Sequence, residues 1–259
     1  MRGVDRYTVG EVEVLCLTDG ETVFGPEVFP ALDTATCDAR LERAGLDGIA
    51  SEFNAYVLRH AGGIDLVDTG CGTQFGPKAG RLAALLAELE IAPGDIARII
   101  HTHLHRDHVG GSFDGNRLVF PQAQVLMHRL EAVQWRDTDG PGAQVIDRAN
   151  RLSLFEDGAD LGHGITLWHL PGHTNGHCGL KIGNLRLVGD IVHSEALQLP
   201  DPSLSPMYDT DGAQAAETRR NALAEIARDG LVWSGSHMLG PQKFARLTAV
   251  GDGFERGAL

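Results

Sequence analysis

Cysteine, cationic side chains, aromatic rings and long apolar runs are all scarce in this chain. Its 259 residues include four cysteines, Cys16, Cys37, Cys71 and Cys178, with no CxxC pair. Such spacing argues against a disulfide framework or a thiolate zinc finger and fits reduced thiols in a cytosolic protein. Cys71 and Cys178 fall near candidate site residues; each is expected either to line the site or to be a buried structural thiol. Apolar runs of about 18 residues, the length that spans a bilayer, are missing, and residues 1–7 show no apolar signal core. The expectation is therefore a cytoplasmic protein with no membrane partner. Lys and Arg number 22 against 35 Asp and Glu, a net charge of −13. An acidic surface repels phosphate backbones, which argues against a nucleic-acid partner. With aromatic content at 6%, the rings available for a pocket wall are few; Phe24, Phe29, Phe75, Trp135 and Phe155 are candidates.

What is present is ordinary globular composition, 42% hydrophobic and 22% charged. Together with the length it predicts a single α/β domain over 1–259, without repeats or a low-complexity linker. Strands are expected at 11–17, at 55–58 and 64–67 around a Gly62-Gly63 turn, and at 98–100. Leu82, Leu85, Leu86 and Leu89 recur at i, i+3, i+4 and i+7, which predicts a helix from Gly80 to Leu89 with one buried stripe. Another helix is expected from Gly212 to Asp229, with Asp211 and Gln214 as a capping pair and Gly230 as the stop. Residues 19–51 mix Gly, Pro and short polar stretches. They predict a long loop that either covers one wall of a pocket or extends an edge.

The run His103-Leu-His105-Arg-Asp107-His108 places four potential metal ligands directly after an apolar strand. Imidazole and carboxylate suit zinc or another first-row divalent ion. In an extended segment His103, His105 and Asp107 would share one side and His108 would point elsewhere, which invites a second metal. Further candidates follow at His173, Asp190 and His237, each where a strand-like run gives way to a loop. Gly beside the ligand lets the backbone approach an ion closely. Seven ligands supply enough donors for two adjacent metals with one carboxylate between them. His60, His128, His163 and His169 have no partner pattern and read as surface or packed side chains.

The HxHxDH run followed by His, Asp and His at widening intervals resembles the metallo-β-lactamase superfamily. The likeness extends over nearly the whole chain, including Leu66 to Gly70 and Pro171 to His177. Within it, the stretches Phe53 to Val57, Asp68 to Gly72, Phe75 to Pro77, Gly189 to His193 and Tyr208 to Asp211 look most like the methyl parathion hydrolase group, whose relatives include quorum-quenching lactonases. The resemblance implies a four-layer αβ/βα sandwich with metals at the edge between two sheets. It implies one site of His103, His105 and His173, a second of Asp107, His108 and His237, and Asp190 bridging them. The ions would be two divalent metals, zinc first, with Mn, Fe, Co or Ni as alternatives. Cations held roughly 3.5–4 Å apart can share a hydroxide, so no Ser or Cys nucleophile is needed. The catalytic residues would be Asp107 and Asp190, with Asp107 either a ligand only or also the proton carrier to the leaving group.

Asp68 is expected to orient a ligand imidazole or to cap its loop, and His177 to support the site. His193 resembles a pocket position, either touching substrate or supporting from behind. His101 stands where the superfamily usually has an apolar residue; it marks either an extra proton-binding group or a less buried face. The implied activity is a dinuclear metal-dependent hydrolase that uses a bridging hydroxide to open lactones or cleave small esters, organophosphate triesters among them. Its partner is the small-molecule ester or lactone, and the resemblance suggests a homodimer. A β-lactamase is disfavoured, because Cys-bearing enzymes of that type have a thiolate where Asp190 stands. A mono-iron persulfide dioxygenase is the other alternative; the full set of seven ligands favours two metals. The short stretch after His237 is expected to leave no room for a helical glutathione-binding extension. A metal-stabilised binding protein without activity is the non-catalytic option.

Overall fold

The computed structural model describes residues 2–259. Seven strands form one sheet in the order Val4–Val9, Val12–Phe24, Ile49–His60, Gly63–Val67, Ile96–Ile100, Gln124–His128 and Leu152–Phe155. The first four pair antiparallel and the remainder parallel. A second sheet of four strands runs Ile165–His169, Cys178–Ile182, Leu185–Leu187 and Val232–Ser234, its last pair parallel.

Period-two alternation builds the layers. Val14 and Cys16 face the second sheet and pack with Leu180, Leu187 and Val232. Their neighbours Leu15 and Leu17 face the other way, onto Leu82, Leu85 and Leu86 of the helix Leu82–Glu88. Burying each such leucine contributes about 1.5–3 kcal/mol. The outer face of the second sheet is covered by Ala222, Leu223 and Ile226 of the helix Gly212–Arg228, packed on Val188 and Trp233. Helix, sheet, sheet, helix is the expected four-layer αβ/βα sandwich. Asp211 caps the long helix by accepting from Gln214 N at 3.0 Å, and Gly230 stops it at φ +60°. Among the described residues no helix is long and apolar enough to cross a membrane.

Two expectations are corrected. Residues 19–51 are not a long loop. Val12–Phe24 runs on through Gly20 past a register shift between Thr18 and Gly20, pairing as far as Phe24 with Ile49. The helix Thr34–Arg43 follows, capped by Asp33 and burying Cys37 and Leu41 at i, i+4. The register shift at Asp19 is a bulge within this strand. Its Asp19 side chain turns inward and accepts from Cys71 N at 2.8 Å, Gly80 N at 3.1 Å and Leu82 N at 2.6 Å. The second correction concerns HxHxDH: the extended stretch ends at His105, and Arg106–Val109 is a short helix. Asp107 therefore does not share a side with His103 and His105.

Loops at the C-terminal ends of the parallel strands converge, the usual place for a ligand crevice in α/β sheets. Glycine permits the closest approach. A Cβ on Gly111 would stand 2.0 Å from Thr69 O, and one on Gly110 2.2 Å from Cys71 O. The Asp68 loop thereby seats directly on the His108 helix. Gly111→Ala is expected to cost about 1–3 kcal/mol by overpacking, whereas Gly94→Ala, with nothing within 4 Å of its Cβ, should stay within about 0.5 kcal/mol. Urea unfolding midpoints of the two variants check this, and equal midpoints would disprove the packing account.

Candidate metal centre

All seven predicted ligand residues come together. Their donor atoms form the groups His103–His105–His173 and Asp107–His108–Asp190–His237. In the first, His103 Nε2, His105 Nδ1 and His173 Nε2 lie 2.9–3.2 Å from one another. In the second, Asp190 Oδ2 is 2.9 Å from His237 Nε2, Asp190 Oδ1 is 3.2 Å from His108 Nε2, and Asp107 Oδ2 is 3.5 Å from His108 Nε2. Asp190 also reaches the first group, with Oδ2 3.7 Å from His103 Nε2 and 3.6 Å from His173 Nε2. Its carboxylate therefore lies between the two clusters.

The outer ring nitrogens decide which lone pairs face inward. A ring nitrogen facing an acceptor carries the proton, leaving the other as a lone pair. His173 Nδ1 faces Asp209 Oδ1 at 2.8 Å, His108 Nδ1 faces Asp68 Oδ2 at 2.8 Å, and His237 Nδ1 faces Glu52 O at 3.1 Å. His103 Nδ1 meets Thr102 Oγ1 at 3.1 Å, whose own proton goes to Asp68 Oδ2 at 2.7 Å. With a single proton on each ring, four Nε2 lone pairs would point at one another and at a carboxylate. Asp190 Oδ1 is buried with no hydrogen-bond partner. Converging lone pairs repel unless a cation lies among them, so this donor set fits divalent ions.

Charge is distributed to match. Burial drives the His103 and His173 pKa values well below the ordinary imidazole value, which keeps them neutral. Burial also opposes charge on His108, but Asp190, Asp107 and Asp68 reverse it and raise its pKa well above that value. For Asp68, burial is outweighed by His108 and His101, which hold its pKa at about 2. Asp190 is buried yet held well below the usual carboxylate range, chiefly by His108 and His237.

The supporting residues fall as follows. Asp68 orients His108 and accepts from Thr102 N at 2.9 Å, from a left-handed backbone at φ +60°. His177 accepts from Asp190 N at 2.9 Å and is tied to Leu170 O at 2.8 Å, so it fixes the Asp190 backbone. His193 Nε2 is 3.4 Å from Asp190 Oδ2, and its ring stacks on His237 at 5.0 Å. His101 is fully buried, its Nδ1 3.5 Å from Asp68 Oδ1, so the less-buried alternative is wrong. His60 pairs with Asp65, and His128 stacks on His169, both away from the donors. Cys71 and Cys178 are buried and line none of the cavities described.

A cavity of about 520 Å³ opens onto the donors, with Asp107, His173, Asp190, His193 and His237 at its floor. Phe24, Phe75, Trp135 and Tyr208 form its apolar wall. Phe29 and Phe155 pack in core clusters instead. Phe24 closes the long second strand, so part of 19–51 does wall the pocket. Asp209 escaped the sequence reading. It binds His173 and is paired with the fully buried Arg219 at 3.3 Å. Its only advance signal was membership of the Tyr208 to Asp211 stretch.

The metallo-beta-lactamase superfamily model matches residues 53–237. Among solved structures, the hydrolase AbOPH of the beta-lactamase superfamily is 25% identical with a TM-score of 0.91, covering 100% of this chain and 98% of that one. AidC, a dizinc quorum-quenching lactonase in complex with the product N-hexnoyl-L-homoserine, is 25% identical with a TM-score of 0.89, covering 99% and 97%. An N-acyl homoserine lactonase of Bacillus sp is 28% identical over 102 residues, 39% of each chain. The human acyl-coenzyme A thioesterase MBLAC2 is 26% identical over 167 residues, 56% of this chain and 60% of that one. This chain thus spans less than two thirds of the length of these two curated relatives. Every donor from His103 to His237 lies inside the stretch matched by the family model, and the chain belongs to the metallo-beta-lactamase superfamily.

Proposed function

We propose that the protein is a dinuclear metal-dependent hydrolase that opens lactones or cleaves small neutral esters, with phosphotriesters as secondary substrates. The observation that carries this reading is Asp190, whose one carboxylate lies against both donor groups. His103, His105 and His173 would hold one cation, Asp107, His108 and His237 another, and Asp190 would touch both. When bound, two such ions lower the pKa of water and polarise a carbonyl or phosphoryl oxygen. The native pair is most simply zinc, given the His and Asp donors and the likeness to a dizinc lactonase.

The chain's own groups do the rest. Asp107 lines the cavity floor; its carboxylate would accept the proton released by the attacking water and hand it to the leaving oxygen. Asp68, Asp209 and the Glu52 carbonyl hold His108, His173 and His237 in the tautomer that presents Nε2. His193 and Tyr208 line the cavity beside the donors and contact the substrate. The apolar wall of Phe24, Phe75 and Trp135 accepts an acyl or aryl group and keeps bulk water away. Away from the donors the lining carries one charge of each sign, Arg106 and Asp139, beside the apolar wall, which suits an uncharged acyl or aryl group.

Zinc-reconstituted protein is expected to hydrolyse members of an acyl-homoserine lactone chain-length series with kcat/KM of roughly 10⁴ M⁻¹s⁻¹ or more, and chelation should abolish the turnover. Efficient cleavage of aryl esters or phosphotriesters without lactone opening would remove lactones from the proposal. Asp190→Asn should lower kcat/KM by at least about 100-fold, the upper range for loss of an outer-sphere partner. Metal content is measured on the same samples; an Asn variant that keeps both metals and full activity would refute the bridging role.

A further inference from the structure

We infer that Glu131 is a positioning residue that sets the geometry of the His103–His105–His173 cation site, an assignment that rests on the two-cation reading above. Glu131 lies in the helix Arg129–Trp135 and is fully buried. Its carboxylate accepts four hydrogen bonds. Oε1 takes Leu104 N at 2.9 Å and Trp135 Nε1 at 2.7 Å; Oε2 takes Thr174 Oγ1 at 2.6 Å and Gly176 N at 3.2 Å. Leu104 is the residue between His103 and His105, and Thr174 follows His173. One carboxylate therefore clamps together the two loops that supply all three imidazoles, although those loops lie some seventy positions apart in the chain.

Packing enforces the same junction. A Cβ on Gly176 would stand 2.1 Å from Glu131 N, so the His173 loop is pressed against the start of this helix. The fourth bond fixes Trp135, whose indole meets the His105 ring edge-on at 5.4 Å and lines the cavity. None of these partners belongs to Asp107, His108 or His237, so the clamp acts on one donor group only. A Glu used simply to fill space would be replaced at lower desolvation cost by an apolar side chain. A charged acceptor is needed here because four donors arrive from three segments and each needs a lone pair.

The isosteric variant Glu131→Gln has one carbonyl oxygen in place of two. Its amide NH₂ would face either Leu104 N with Trp135 Nε1, or Thr174 with Gly176 N, and a backbone N–H cannot reverse. Metal-free full-length protein is titrated with zinc against a chromophoric chelator, alongside thermal unfolding of the metal-free forms. The wild type should bind two equivalents. Glu131→Gln should bind one of them about 10–100-fold more weakly, the usual effect of losing an outer-sphere partner, with the other unchanged, while the unpaired buried donors also lower the metal-free melting temperature. Thr174→Val, which removes one of the four bonds and no charge, should show a smaller loss at the same equivalent. Unchanged affinity for both equivalents, or equal weakening of both with a lowered melting temperature, would overturn the assignment. Should Glu131→Gln fail to fold, Thr174→Val decides by the same criterion. Wild-type protein that binds a single equivalent would instead strike the two-cation reading, and the variants would still decide for Glu131 by whether that ion is held less tightly.

Discussion

A buried carboxylate facing five imidazoles is the constraint around which this molecule is arranged. Asp190 has the Nε2 atoms of His103, His108, His173, His193 and His237 within 2.9–3.7 Å of its oxygens. Burying a carboxylate is costly unless positive charge comes with it. In the protein alone that charge comes from His108 and His237, whose pKa values are raised by Asp190 and by Asp107, against the effect of burial. His103 and His173 remain neutral because burial dominates there. Divalent ions would replace those protons at the same positions. Ion binding and proton release are then one equilibrium, and the cluster is built to exchange one form of positive charge for another.

The fold meets this constraint by bringing strand ends together, not by rigidity within any one loop. The donors come from four separate strand ends, and each is held by a group from a different part of the chain. His108 is held by Asp68 at the end of Gly63–Val67. His173 is held by Asp209, itself fixed by Arg219 on the long helix. His237 is held by Ser51 Oγ at 3.0 Å and by the Glu52 carbonyl, both on the strand Ile49–His60. Both sheets must be in register before the lone pairs converge. This explains the close glycine contacts between loops: a side chain at Gly111 or Gly176 would move a whole donor segment, not a single atom.

Legibility in the sequence followed from how local each signal was. The seven donors could be read because four sit in one hexapeptide and the other three end apolar strands. Alternation and the Leu82, Leu85, Leu86 stripe marked individual strands and a helix, while the four-layer arrangement was implied by the family resemblance. By contrast, 19–51 read as a long loop because the Gly and polar residues of a bulged strand are also those of loops; what marks the bulge is the distant set of amides that Asp19 binds. Asp107 was assigned to an extended run because sequence alternation does not show that the chain enters a helix after His105. Asp209 lies 36 positions from its imidazole, in a polar stretch indistinguishable from an exposed loop. Glu131 sits beside Arg129 in a short helix, where a charged residue normally reads as solvent-facing. In each missed case the residue acts through a long-range contact with no periodicity.

The support groups also bear on how the two donor clusters can differ while sharing Asp190. His108 is oriented by an ionised carboxylate whose pKa is held at about 2, and its own group adds Asp107. The first cluster contains three imidazoles and no carboxylate of its own, so an ion there would depend on Asp190 for negative charge. Electrostatics alone therefore makes the Asp107–His108–His237 side the stronger cation trap. The three-imidazole side compensates by geometry, with its nitrogens held 2.9–3.2 Å apart by loops fixed from outside. On the two-cation reading, one ion would be held mainly by charge and the other mainly by preorganised shape. The cavity opens over both donor groups, so on the proposed hydrolase reading an ester oxygen would approach the less neutralised ion, on the imidazole side, with Asp107 on the opposite side as the proton carrier.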